Sequence, residues 1–344
     1  MKNTISPITQ AILLLTSPLV IGKSAQKLPL VTPARYRRLA HLLNAADLNP
    51  SDFLGDRKRE AIKACKSDTK GEVLSEGDAD RILARGFQLS QALDYWASRS
   101  IWVASRVDSH YPQKLKKQFR DNAPGLIYGS GEPALLDSGG LAVVGSRKSD
   151  RLVLNATADI GQLAAQANVN IISGCAKGVD QISMLSALGA GGTAIGVLGD
   201  SLIKKSLDKD YRTALLEKRL VLISTQDPSS RFETWKAMDR NKYIYGLSDV
   251  GLVMKTDYGS GGTWTGAVEQ LDKLKLVPIY VRLSKRKTKG STALLEKGAI
   301  EWPNPCDLKS FRQIFEKQNL DRAMSSASEH AFDVSGEQLH MRLS

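Results

Sequence analysis

Cysteine is nearly absent from this chain: Cys65, Cys175 and Cys306 are the only three in 344 residues. An odd, widely spaced set makes no disulfide framework, and without a Cys-x-x-Cys pair it offers no zinc finger. Histidine is equally sparse, with His41, His110, His330 and His340 far apart. No metal and no cofactor is therefore expected, and the cysteine usage fits a reducing cytoplasm. Aromatic residues make up 6% of the chain, which leaves few surfaces for stacking. No apolar run is long enough to span a bilayer. There is neither a Gly-x-x-x-x-Gly-Lys-Ser/Thr loop nor a clear Gly-x-Gly-x-x-Gly fingerprint, which argues against an ordinary NTPase or an NAD dehydrogenase.

What is present is positive charge. Forty-eight Lys and Arg against 36 Asp and Glu leave a formal net charge of +12. Such an excess favours a polyanionic partner, because each phosphate neutralised releases a condensed counterion. An inert basic surface is the alternative that charge alone leaves open. The length points to about two domains.

Near the N-terminus, Ala11 to Gly22 (AILLLTSPLVIG) superficially resembles a secretory signal. The polar residues before it, the Ser17-Pro18 interruption and the poor cleavage site after it favour a buried segment of the first domain. Residues 1–104 read as a helical domain. Thr32-Pro33 is an N-cap with proline at the first helical position, Ser75-Glu76-Gly77-Asp78 opens another helix, and Gly86 ends it or turns the chain before Phe87 to Trp96. A small bundle fits this spacing, and nothing in it selects a helix-hairpin-helix or sterile-alpha-motif arrangement.

From Leu141 the pattern changes. Short apolar runs at Leu141–Val144, Val169–Ile172, Ala194–Leu198, Leu220–Ile223, Val250–Met254 and Val277–Val281 alternate with helical stretches. Those stretches are Leu152–Ala167, Val179–Leu188, Tyr211–Lys218, Trp235–Leu247 and Thr263–Leu274. Runs this apolar are buried on both faces, and helical crossovers make the sheet mostly parallel. The expected class is α/β, an extended Rossmann-like parallel sheet with an N-terminal helical domain. The sheet domain spans residues 105–303, and a polar, partly disordered extension covers 304–344. All strand C-termini then share one edge, where ligands bind.

Small residues cluster after three of the strands: Gly145-Ser146-Arg147-Lys148, Ser173-Gly174-Cys175-Ala176-Lys177-Gly178, and Ser260-Gly261-Gly262-Thr263-Trp264-Thr265. Glycines let backbone N–H groups approach an anion, hydroxyls add donors, and helix starts add positive potential. One such loop is an ordinary turn; three on one edge make a phosphate crevice. Arg240-Asn241-Lys242, before the fifth strand, is placed to face it. Arg147, Lys177, Arg240 and Lys242 are expected to converge on phosphates. Lys114, Lys116, Lys117 and Arg120, and Arg282, Lys285, Arg286, Lys287 and Lys289, either extend the groove or are solvated loops. Tyr243, Tyr245, Tyr258 and Trp264 lie nearest the motifs, with packing roles expected for the first two.

In order and spacing, VVGSRKSD, IISGCAKGVDQ, SALGAGGTAIGVLG, RNKYIYGLSD and SGGTWTGA resemble the DNA-processing protein A (DprA/Smf) family. The lead-in at Asp108–Leu136 and the segment Lys289–Pro303 resemble that family's flanks. The resemblance implies an extended Rossmann fold whose strand-edge pocket binds single-stranded DNA, a homodimer, and in some members loading of the recombinase RecA during natural transformation. Matched by position, Gly145, Ser146 and Arg147 correspond to its first phosphate loop, and Ser173, Gly174, Lys177, Gly178 and Asp180 to its second. Arg240 and Asn241 correspond to its basic helix, and Ser260, Gly261, Gly262 and Thr265 to its last loop. Asp180 is expected to cap a helix or to orient Lys177.

The chain also departs from the family. Ser183-Met184 replace the usual Ala-His, the Phe-Pro before the basic helix is missing, Lys242 stands for a second arginine, and no C-terminal winged helix is expected. These departures point to a divergent branch and make a mobile-element or antiviral defence setting an alternative to transformation. Catalysis is not the expected role. The rival from another class is a nucleotide sensor or a hydrolase like the lysine-decarboxylase-like phosphoribohydrolases, whose pattern Gly261-Gly262-Thr263 with Glu269 distantly resembles. A pure adaptor is a third reading.

Overall fold

The computed structural model describes residues 5–21, 28–66, 71–283 and 287–316. Gly22 and the segment after it, Lys285, Arg286 and residues 317–344 of the expected polar extension lie outside the described residues.

The chain opens with α1 (Pro7–Thr16), started by Ser6, whose hydroxyl accepts the Thr9 N–H at 3.2 Å. Ala11 to Leu15 and Leu19 of the apolar run are buried. Helices α2 (Pro33–Ala45), α3 (Lys58–Lys66), α4 (Glu76–Leu83) and α5 (Gly86–Ala97) follow. Thr32 and Ser75 cap α2 and α4 as expected, and Gly86 is the first residue of α5. Leu15, Leu39, Leu43, Phe53, Ile62 and Ile82 form a small core of their own. The opposite side of α1, with Trp96 of α5, joins the core beneath the sheet.

The sheet begins at β1 (Ile101–Ser105), then α6 (Gln113–Phe119), β2 (Leu126–Gly131), β3 (Leu141–Val144), α7 (Arg151–Gln166), β4 (Ile171–Ser173) and α8 (Val179–Gly189). It continues with β5 (Ala194–Leu198), α9 (Leu202–Ser206), α10 (Lys209–Leu216), β6 (Leu220–Ser224), α11 (Thr234–Asp239), α12 (Asn241–Leu247) and β7 (Val250–Val253). Helix α13 (Gly261–Glu269), β8 (Ile279–Val281), α14 (Lys289–Glu296) and β9 (Ile300–Glu301) complete it. The strand order is β1-β2-β6-β5-β4-β3-β7-β8-β9; β2 pairs antiparallel with both β1 and β6, and the remaining pairs are parallel.

Side chains alternate across the central strands. Leu141 and Val143 face one core with α7 and α8, while Ala142 and Val144 face the other with α6, α12 and α13. Each fully buried Val, Leu or Ile contributes about 1.5–3 kcal/mol, so both helical layers are held firmly. The expected α/β sheet is present, with all six anticipated strands.

Three features differ from the sequence reading. Residues 101–105 are strand rather than helix, so the sheet starts before residue 105. The antiparallel β1–β2 pair and the short β9 extend both edges. The stretch Trp235–Leu247 is not one helix: it breaks at Arg240, where the Tyr243 N–H bonds back three residues to the Arg240 carbonyl at 3.0 Å.

A polar clamp ties α1 to the end of β1. Asp108 accepts from the Thr9 hydroxyl at 2.6 Å, the Ser6 hydroxyl at 3.0 Å and the Ser105 N–H at 2.7 Å. Burial raises the carboxyl, but these donors outweigh it and hold it below the ordinary aspartate range. The stability that this clamp supplies is therefore present above the unfolded value near 3.9 and is lost as pH falls towards the lower folded value. Asp108→Asn, which turns an N–H₂ towards donors, is expected to cost about 1–3 kcal/mol. Denaturant titrations from pH 6 down to pH 3 should show less acid dependence in the variant than in wild type.

Candidate nucleic-acid interface

The chain runs from β3 through β4 and β5 to β6 on one side, then returns to place β7 on the other side of β3. A parallel sheet opens a crevice at such a reversal, outside the strand C-termini. Here it is a cleft of about 660 Å³. Val144, Gly145, Ser146, Arg147 and Lys148 line it after β3; Ser260, Gly261, Gly262, Thr263 and Thr265 line it after β7; Phe232, Met238, Arg240, Asn241 and Tyr245 close it from the α11–α12 side. The loops after β3 and β7 are fastened together, the Ser146 N–H donating to the Lys255 carbonyl at 2.9 Å.

The loop after β4 supports the cleft more than it lines it. Ser173 is buried and its hydroxyl donates to the Val143 carbonyl at 2.6 Å. Gly178 takes a φ of +88°, open to glycine, and so folds against the Ser146 and Arg147 backbone as α8 begins. A side chain at Gly174 would overlap the Arg240 guanidinium, which rests on it. Lys177 is exposed and stands outside the cleft lining.

Arg240 is the centre of the site. Its side chain is 8% exposed, and Nη2 lies 3.7 Å from the Asp180 carboxylate, itself 9% exposed. Asp180 does not orient Lys177. It pairs with Arg240 and faces the backbone N–H dipoles of Ala176, Gly145 and Gly174 from the first two loops, which favour its charged form. Burial pushes that carboxyl up, with Arg240 and the three N–H groups opposing; burial likewise pulls Arg240 down, with Asp180 opposing. Nε and Nη1 of Arg240 have no hydrogen-bond partner among the described residues.

Asn241 bridges α12 to α13, donating to the Gly262 carbonyl at 3.0 Å. Lys242 turns away from the cleft to Asp239. Of the four cations expected to converge, the structure brings Arg147 and Arg240 to the cleft and places Lys177 and Lys242 outside its lining. Lys148 joins them at the mouth. Helix α13 starts at the cleft without a side-chain cap, and the Thr265 hydroxyl donates to the Gly261 carbonyl at 3.1 Å.

Tyr243 and Tyr245 are buried, as expected for packing residues. Tyr258 is exposed, edge-on to Trp264 and covered by Lys289 at 4.6 Å. Sequence reasoning missed Phe232, 52% exposed at the cleft mouth with the Arg147 guanidinium 5.6 Å from its ring, and Trp235, 57% exposed nearby. Their signal was position: Phe232 follows β6 on the same sheet edge as the glycine loops. Of the flanking cations, Lys114 forms an ion pair with Asp249, and Arg282 lines a smaller adjoining cavity with Lys255 and Thr256. Glu269 ends α13 outside the cleft lining, and the carboxylates that do line it are Asp180 and Asp257.

Among the described residues no group of three His, Cys, Asp or Glu side chains is disposed to hold a metal, and no helix is long and apolar enough to cross a membrane.

Comparison with known proteins agrees with this fold. The chain is 28% identical over 165 residues to Protein Smf of Borreliella burgdorferi, covering 47% of this chain and 52% of the relative. It is 26% identical over 195 residues to DNA processing protein DprA of Bacillus subtilis, covering 56% and 65%. It thus spans about half to two thirds of the curated relatives it matches. The structure of DNA processing protein A from Streptococcus pneumoniae superposes with a TM-score of 0.60 at 19% identity, over 79% of this chain and 90% of that one. That from Helicobacter pylori gives 0.51 at 22%, over 63% and 96%. Residues 102–312 match the family model of DNA recombination-mediator protein A, and the chain belongs to that family.

Proposed function

We infer that the cleft binds single-stranded DNA through its phosphates, and that the chain serves DNA processing or recombination rather than catalysis. The observation that carries this reading is the meeting of Arg147, Lys148, Arg240 and the open start of α13 in one cleft at the sheet's reversal point. These groups recognise negative charge and carry no base code. The Helicobacter pylori relative binds single-stranded DNA. Exposed Phe232 gives an unpaired base an apolar face that a duplex cannot offer. A cytoplasmic homodimer that hands its strand to a recombinase such as RecA, or to a defence-system protein, fits the same reading.

The test is affinity against salt for single strands, duplex, RNA and mononucleotides, by fluorescence anisotropy. Arg147 is exposed, so Arg147→Ala should leave the melting temperature unchanged. It should weaken binding to all sequences alike and flatten the logarithmic salt slope by about 0.7. Arg147→Lys should recover part of the loss, since a point charge replaces a planar fork. Unaltered binding by Arg147→Ala would remove the cleft from the interface.

A further inference from the structure

The floor of the cleft carries donors that its own neighbours do not use. Arg240 is 8% exposed, it lines the cleft, and Nε and Nη1 have no partner among the described residues. A guanidinium only donates, so such groups call for an acceptor. Asp180 does not supply it: its carboxylate lies 3.7 Å from Nη2, and neither Nε nor Nη1 bonds to it.

Helix α13 faces the same space. It is nine residues long, Gly261, Gly262 and Thr263 of its first turn line the cleft, and no side chain caps it. Its first N–H groups and the positive end of its dipole are thus turned to an anion. The Asp180–Arg240 pair is electrically balanced within itself. The further positive charge comes from Arg147 and Lys148 at the mouth.

The depth of Arg240 selects among phosphates. A phosphodiester inside a strand has a sugar on each side, and both must descend with it. A phosphate at a terminus has one bare side and a second negative charge. We propose that the cleft floor binds a terminal phosphomonoester, on a strand end or on a free nucleotide, between Arg240 and the start of α13. This rests on the reading of the cleft as a nucleic-acid site and names the group that enters it. The attached nucleoside then lies outward, towards Phe232 and Arg147.

The experiment uses the full chain and one oligonucleotide sequence in three forms, with a 5′-phosphate, with a 3′-phosphate and with neither. A nucleoside monophosphate and inorganic phosphate serve as competitors. One phosphorylated form should bind roughly tenfold or more tighter than the unphosphorylated strand, as one charge-assisted contact allows, and inorganic phosphate should erode that advantage. Arg240→Lys should reduce the advantage further than it reduces binding of the unphosphorylated strand. The wild-type comparison decides even if the variant does not fold. Equal affinity for all three forms overturns the proposal and leaves strand binding in place. Binding of the monophosphate with no binding of any strand keeps the proposal and removes the strand reading. Binding of neither overturns both.

Discussion

Gly174→Ala is expected to abolish most single-strand binding and to lower stability by several kcal/mol. The sign is informative, because the backbone alone would give the opposite. Gly174 does not have a positive φ. An alanine there should stabilise by about 0.4–1 kcal/mol by restricting the unfolded chain. What opposes this is contact: the new methyl would occupy the place of the Arg240 guanidinium. Arg240 is long enough to move, but moving takes it from Asp180 and leaves a buried carboxylate without its cation. Breaking such a pair costs about 3–5 kcal/mol, which outweighs the entropic gain. A double-mutant cycle isolates the cause. In an Arg240→Ala background the methyl meets no guanidinium, so Gly174→Ala should cost little or nothing further there. If it costs the same in both backgrounds, the glycine serves the loop and not the arginine.

That relationship marks the limit of what was legible in the sequence. Leu141–Val144 and Ala194–Leu198 were readable to the residue because a strand buried on both faces is apolar throughout and is bounded by glycine or a polar turn. The glycine loops were readable for the same reason. Strands β1 and β2 were not: Leu126–Gly131 reads LIYGSG, too short an apolar run to stand out, and antiparallel pairing needs no crossover helix to announce it. The break at Arg240 was hidden because Trp235–Leu247 keeps helical spacing on both sides of it. At the break the Arg240 side chain turns inward to Asp180 on another helix, a tertiary contact that periodicity does not report.

The site shows the same division. Loop position placed Arg147 and Lys148 correctly at the cleft, because the chain has just left β3 there. It did not fix the direction of a long side chain. Lys242 follows Asn241 on α12, yet it reaches back to Asp239. Lys177 sits at an exposed turn beyond the lining. Phe232 went unnoticed because the segment between β6 and α11 has no glycine signature, although it leaves the same sheet edge.

Asp180→Ala should destabilise the protein more than any exposed substitution at the cleft, and its binding defect should follow from that loss. Two costs add. Arg240 keeps its charge, since a guanidinium is not deprotonated in a protein, and it becomes a buried cation with no partner. One partner removed from a buried pair costs about 3–5 kcal/mol. The N–H dipoles of Gly145, Gly174 and Ala176 also lose the carboxylate that they face. Asp180→Asn keeps one carbonyl oxygen and should lie between wild type and Asp180→Ala. Removing both members, Asp180→Ala with Arg240→Ala, takes away the uncompensated charge, so it should be more stable than Asp180→Ala alone. It should still not bind, because the cation goes with the pair. Urea unfolding and anisotropy on these four proteins separate the two roles. A stable Asp180→Ala that has merely lost affinity would mean that the carboxylate acts on the ligand, and not as the buried partner of Arg240.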